Sequence, residues 1–332
     1  MSHKPQPLAS GSSAYGGQIA KSQIAPKTAG MRYNARLGIL KVGFLVMEFS
    51  VELRTMPSLF SLYRKIFFGR KPGWDNQPLP RISVNTPGVV LEPGKVADYA
   101  QVCGFEFDGK TLPPTYLYVM AFRLHAVIFT HDAITFPLLG MIHLRNRISQ
   151  FRSVTLDERF DIDCRLTDSR ETDSGLEFDL ISRVTVAGEL VWESLSTYLY
   201  RIDKPGRRAR PPKAGDIQWE NPSVWELGDD LGRRYARASG DYNLIHLHPL
   251  LSKRFGFDRV LAHGMWSKAR CVAQLMPELG NRPCVIDVAF KLPLFMPASV
   301  CFCAEAMEQG YKFELRDQKG RRPHLFGEIS LL

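Results

Sequence analysis

The densest group of reactive side chains in this 332-residue sequence is the run Ser239-Gly240-Asp241-Tyr242-Asn243-Leu244-Ile245-His246-Leu247-His248-Pro249. Asp241 and His246 are five residues apart, out of register for one face of a regular helix. On a bent loop, however, a carboxylate and an imidazole can converge on one small ligand, and a water held between an acid and a base is the simplest such ligand. Either group can act as the base and the other as the acid. Asn243, between them, can fix orientation through its amide. Downstream, Val260-Leu261-Ala262-His263-Gly264-Met265 leads straight into a long apolar run. Gly264 there allows a substrate close to the backbone, and its N–H at a helix start can stabilise a developing oxyanion. An acid, a base and an oxyanion donor, without a nucleophile, fit proton removal or water addition next to a thioester carbonyl.

Elements that could position these groups recur along the chain. Asp98 to Gly104 and Arg234 to Gly240 each end a short helical pattern at a glycine, with Tyr99 and Tyr235 five residues before it. Each half then offers one long apolar helix, Leu117 to Phe129 or Met265 to Met276, followed by strands with period-two alternation or β-branched runs. In the first half these strands are His143 to Phe151, Phe160 to Leu166, Leu176 to Val186 and Leu190 to Arg201. In the second they are Cys284 to Leu292, Ser299 to Met307, Tyr311 to Arg316 and His324 to Leu331. The pattern predicts an α+β chain in which each sheet wraps a buried helix. Pro249 opens a short helix after the reactive loop. Asp203 to Asp216, with three prolines and five Lys/Arg, reads as an exposed linker.

The N-terminal part differs in charge. The formal net charge is +9, but residues 1 to 75 hold 11 Lys/Arg against three acids, a net of +8, so the remaining 257 residues are almost neutral at +1. Residues 1 to about 35 are poor in apolar side chains and predict disorder. A helix is expected through Leu37 to Leu53, and a second, aromatic-rich stretch follows Met56, itself a conceivable translation start. The opening resembles an organelle transit peptide in composition but lacks a sustained Arg-rich amphipathic pattern. Leu37 to Phe49 is interrupted by Lys41 and Glu48 and is too short to span a membrane. Six cysteines without a C-x-x-C pair suit a reducing compartment, and a cytoplasmic location is expected.

Tyr235, then Ser239-Gly240-Asp241-x-Asn243-x-x-His246 and Ala262-His263-Gly264-Met265, resembles the MaoC-like (R)-specific enoyl-thioester hydratase/dehydratase family. Phe136 to Asn146 is similar to bacterial acyl dehydratases of that family's double-hotdog branch. The resemblance implies a double hotdog, two curved antiparallel sheets each wrapping a long central helix. It also implies interconversion of (3R)-3-hydroxyacyl and trans-2-enoyl thioesters of coenzyme A or acyl carrier protein. Asp241 and His246 would activate water, Asn243 would orient them, and the Gly264 N–H would bind the thioester oxygen. The first half lacks the Asp-x-Asn-x-x-His loop after Gly104 and would hold the acyl chain. Leu244 departs from the pattern, which typically has proline there.

The expected organisation is a basic extension over residues 1–78, an N-terminal hotdog over 79–203, a linker over 204–216 and a catalytic hotdog over 217–332. His263, His248 and Tyr116 are candidate substrate-channel residues, although Tyr116 belongs to a Tyr116-Tyr118-Phe122 stripe that is core by default. The histidines suggest zinc, but no Cys or carboxylate joins them at a familiar ligand spacing, so neither a metal nor a cofactor is expected. No nucleic-acid partner is expected, and pairing into a homodimer stays open. The alternatives are a hotdog thioesterase and a non-catalytic acyl-binding protein with a basic tail.

Overall fold

A computed structural model describes residues 31–39, 45–202 and 222–332. It opens with an antiparallel hairpin of β1 (Met31–Ile39) and β2 (Leu45–Leu53), followed by α1 (Leu59–Phe68). The first half of the body contains β3 (Arg81–Val89), α2 (Pro93–Cys103), α3 (Leu117–Thr130), β4 (Ile142–Gln150), β5 (Phe160–Thr172), β6 (Gly175–Val186) and β7 (Glu189–Arg201). The second half repeats that order with β8 (Ser223–Leu227), α4 (Leu231–Ser239), α5 (Pro249–Lys253), α6 (Gly264–Leu279), β9 (Cys284–Phe290), β10 (Ala298–Met307), β11 (Gly310–Asp317) and β12 (Pro323–Leu331).

The strands form one sheet in the order β1-β2-β3-β5-β6-β7-β4-β9-β12-β11-β10-β8. Read outward from the central β4·β9 pair, both halves follow the same path, which makes the chain two hotdog units joined edge to edge. Each wraps its apolar helix because alternate strand residues face inward. Phe160, Ile162, Cys164 and Leu166 of β5 are buried towards α3 while their neighbours face out. On α3, Ala121, Leu124 and Ile128 are fully buried, as are Ala269 and Cys271 on α6. The two helices that precede the glycine turns, α2 and α4, pack on each other, with the Tyr99 and Tyr235 rings 6.0 Å apart.

One buried polar group ties α6 to the join between the halves. Lys268 is fully buried, and its ammonium donates to the Asn146 carbonyl (2.9 Å), Asn146 Oδ1 (2.6 Å) and the Ile286 carbonyl (3.0 Å). Asn146 Nδ2 in turn donates to Ser194 and Ser196.

The N-terminal segment departs from the sequence expectation. Residues 45–53 form a strand, not a helix: Glu48, Ser50 and Glu52 alternate with Phe49, Val51 and Leu53, and β2 pairs in parallel with β3. Residues 31–35, expected to be disordered, belong to β1. The expected extension therefore adds to the sheet of the first hotdog. The proposed linker and residues 1–30 lie outside the described residues. Val51 and Leu53 are 0% and 2% exposed, and burying such side chains contributes about 1.5–3 kcal/mol each. A chain starting at Met56 should therefore melt several degrees below the full chain, which differential scanning calorimetry would show. Among the described residues no helix is long and apolar enough to cross a membrane.

Candidate active site

The reactive loop begins where α4 ends. Gly240 caps the helix at φ +75°, a conformation that favours glycine, and Ser239 Oγ donates to the Tyr235 carbonyl while accepting the Asp241 N–H. Asp241 Oδ1 accepts the Asn243 N–H at 3.2 Å, which closes a local turn before a 3₁₀ turn over Leu244–His246. A second glycine is required by contact: a Cβ at Gly232 of α4 would lie 2.0 Å from the His246 carbonyl oxygen. The turn can therefore sit directly on the helix, and His246 is held at short range behind Asp241.

Two backbone ties fix the imidazole. The Leu261 N–H donates to the Ile245 carbonyl, and His246 Nδ1 lies 2.8 Å from the Leu261 carbonyl. Because a carbonyl only accepts, Nδ1 carries the proton and Nε2 of the neutral ring keeps its lone pair. His263, the residue before α6, similarly donates Nε2–H to the Asp241 carbonyl at 3.0 Å. The two imidazoles lie 3.7 Å apart at 31°, with Tyr235 4.8 Å beyond His263.

These surroundings set the charges. Burial lowers His246 to about 3, helped by His263 and opposed by Asp241. Burial also lowers His263 to about 3. The Asp241 carboxyl moves the other way: burial raises it, against the stabilising effects of His246, the Asn243 N–H and Tyr63. A proton therefore favours Asp241 over His246. Asn243 Oδ1 is buried without a partner among the described groups.

The neutral histidines also predict acid sensitivity. His125 and His263, 0% and 2% exposed, are both held near 3, against about 6.5 for histidine in an unfolded chain. The unfolded chain takes up these protons first, so stability is complete above about pH 6.5. It is lost as the pH falls towards 3, by up to about 1.4 kcal/mol per pH unit for each such group. Urea unfolding at pH 7 and pH 5 should show this loss, and His125→Gln should lose less over the same step.

Gly264 is the first residue of α6, where helix N–H groups have no intrahelical acceptor. A Cβ there would meet the Phe290 ring at 3.1 Å. Phe290 lies 5.0 Å from His143 of the first half, whose ring stacks at 4.5 Å on Tyr198. Tyr198 and Tyr118 share a 2.9 Å hydroxyl contact, and burial raises both phenols, with a smaller push from the Asp241 charge. The first half thus brings His143, Tyr118 and Tyr198 towards the loop. His143 lies in the Phe136 to Asn146 run already singled out, but no spacing marked it as a site residue.

Of the candidate channel residues, His263 is buried behind His246 and Asp241. Tyr116 is 1% exposed and packs edge-on to Tyr99 at 5.2 Å. His248 is exposed and caps α5 by accepting the Leu250 N–H. Asp241, His246 and His263 each bring one possible ligand atom within 4.8 Å of the others, the carboxylate that the linear spacing did not supply. The two rings are tilted by 31°, and His246 Nδ1 is engaged by the Leu261 carbonyl. His263 Nε2–H is also engaged by the Asp241 carbonyl.

Comparison with known proteins agrees with this geometry. Residues 220–324 match the model of the MaoC-like domain. The chain is 29% identical over 253 residues to 3-hydroxyacyl-thioester dehydratase X of Mycobacterium tuberculosis, covering 76% of this chain and 90% of that protein. The crystal structure of the M. tuberculosis protein HtdX superimposes with a TM-score of 0.66 at 28% identity, over 75% of this chain and all of the other. A MaoC-like dehydratase from Phytophthora capsici shares the fold, with a TM-score of 0.60 at 18% identity over 76% of this chain and 95% of that one. The reactive loop and the match to the MaoC-like domain thus both lie in the second of two hotdog units, and the chain is similar to MaoC-like dehydratases in sequence and fold.

Proposed function

We propose that this protein is an acyl-thioester hydratase/dehydratase that interconverts (3R)-3-hydroxyacyl and trans-2-enoyl thioesters carried by coenzyme A or acyl carrier protein. The observation that carries the reading is the fixed tautomer of His246, whose free Nε2 lone pair shares a cluster with a carboxyl group disposed to hold a proton. In hydration, His246 Nε2 removes a proton from water as its oxygen bonds to C3. The C2–C3 π pair moves towards the thioester carbonyl, and the Gly264 N–H at the start of α6 stabilises the oxyanion. Asp241 then delivers its proton to C2. Transfer of the proton from His246 to Asp241 restores the starting state, and dehydration runs the same steps in reverse. Asn243 orients the water through its unpaired carbonyl oxygen.

The second hotdog, residues 217–332, carries the chemistry in this reading, and the first, residues 79–203, accommodates the acyl chain beside His143, Tyr118 and Tyr198. Buried thiols at all six cysteines suit the cytoplasm. The test is to incubate purified protein with enoyl-CoA thioesters of graded length and follow the conjugated-enoyl absorbance and free thiol together. Loss of absorbance without thiol release is expected. Thiol release would favour thioester hydrolysis, and no change with any chain length on either carrier would contradict the reading.

A further inference from the structure

Helix α1 comes from outside the two hotdog units and lies against the reactive loop. Its Leu59 methyl groups sit 3.0 and 3.1 Å from the place a Cβ would occupy on Gly240. One turn on, the Tyr63 hydroxyl donates to the Gly240 carbonyl at 3.0 Å and accepts the Tyr242 N–H at 2.6 Å. The ring meets Tyr242 edge-on at 5.7 Å. Asp241 lies between these two backbone partners in sequence, and the nearby Tyr63 hydroxyl acts to lower its carboxyl against the effect of burial. Residues nearly 180 positions apart thus meet at one oxygen.

We propose that Tyr63 is a positioning residue for the reaction, its hydroxyl holding the Gly240–Tyr242 backbone and partnering the Asp241 carboxyl in both protonation states. This rests on the reading of Asp241 as a reacting group. A phenol has one proton and two lone pairs, and the Tyr242 N–H occupies one lone pair. When Asp241 is ionised, the phenol proton can turn to the carboxylate. When Asp241 carries its proton, Asp241 can donate to the second lone pair while the phenol proton stays on the Gly240 carbonyl. In either state the carboxyl keeps a partner in this hydroxyl, and phenylalanine could supply none. Burial and the Asp241 charge push the phenol well above its usual range, so the hydroxyl keeps its proton throughout.

The other groups facing Asp241 do not duplicate this role. His246 and His263 are held neutral, and Tyr118 of α3, Tyr198 of β7 and Tyr235 of α4 have pushed-up phenols that contribute no charge.

The experiment compares full-length wild type with Tyr63→Phe and with Leu62→Ala, which loosens α1 from the core and keeps the hydroxyl. Rates of enoyl-CoA hydration are measured against pH. The Asp241 carboxyl is followed by carbon NMR in aspartate-labelled protein, with its signal assigned by its absence from Asp241→Asn. For Tyr63→Phe, kcat should fall about tenfold to a hundredfold with KM little changed, in keeping with the loss of one hydrogen bond to a charged group. Because the Tyr63 hydroxyl acts to lower Asp241, its removal should move the carboxyl titration and the matching limb of the rate profile to higher pH. Leu62→Ala should melt earlier and leave both where they are. An unmoved Asp241 titration in Tyr63→Phe, a change in KM alone, or the same shift in Leu62→Ala would overturn the proposal. The titration is read without turnover, so a wild type inactive on enoyl thioesters would refute the functional reading and still leave the Tyr63–Asp241 link decided by NMR.

Discussion

Asp241→Asn and His246→Ala should each lower kcat for enoyl-thioester hydration about a hundredfold or more, the usual cost of removing a general acid or base. Asparagine at 241 keeps an oxygen to accept the Asn243 N–H, so the turn should survive while the exchangeable carboxyl proton is lost. Alanine at 246 removes the only lone pair that the Leu261 tie leaves aimed at the site. It also removes the ring stacked on His263. The double variant should be little worse than the slower single one, because the two groups act on one water as a unit. Steady-state rates on a fixed enoyl-CoA check this. Full additivity would indicate separate roles, and wild-type rates in either single variant would remove that residue from the chemistry.

The second large effect concerns stability. Lys268→Met keeps the side-chain length but withdraws all three N–H donors from the join between the halves. Asn146 Oδ1 then has no ammonium to accept from, and a buried acceptor left unpaired costs about 1–3 kcal/mol. With two backbone carbonyls also losing a donor, the variant should be destabilised by about 3 kcal/mol in urea unfolding. Burial pushes the Lys268 ammonium well below its ordinary pKa, against the pull of the Asp287 charge, and three fixed acceptors hold the group in place. A variant as stable as wild type would show that the carbonyls are satisfied without it.

The two-fold plan was legible in the sequence because its signals are local. The glycine-ended α2 and α4, the apolar α3 and α6, and strands β5 to β7 and β9 to β12 are all set by short-range periodicity. What failed depended on distant partners. Strand β2 is a strand because the parallel edge of β3 accepts it, and a stretch with Lys41 and Glu48 among apolar residues reads equally well as a helix. Strands β3 and β8 escaped notice because one carries Pro87 and Gly88 and the other is only five residues long. In the site, Asp241, Asn243 and His246 stood out because their spacing is local. Tyr63, His143 and Tyr198 did not, since only the folded chain brings them to the loop. The +8 charge of the first 75 residues carries no trace of the uncharged tyrosine, Tyr63, that lies against the reactive loop.

Water addition at C3 should have one stereochemical outcome, which chiral analysis of the product formed from a trans-2-enoyl-CoA would read. The (3R)-3-hydroxyacyl thioester, with its thioester bond intact, is the expected product. The (3S) product, or free coenzyme A without a hydroxyacyl product, would contradict the proposed reaction.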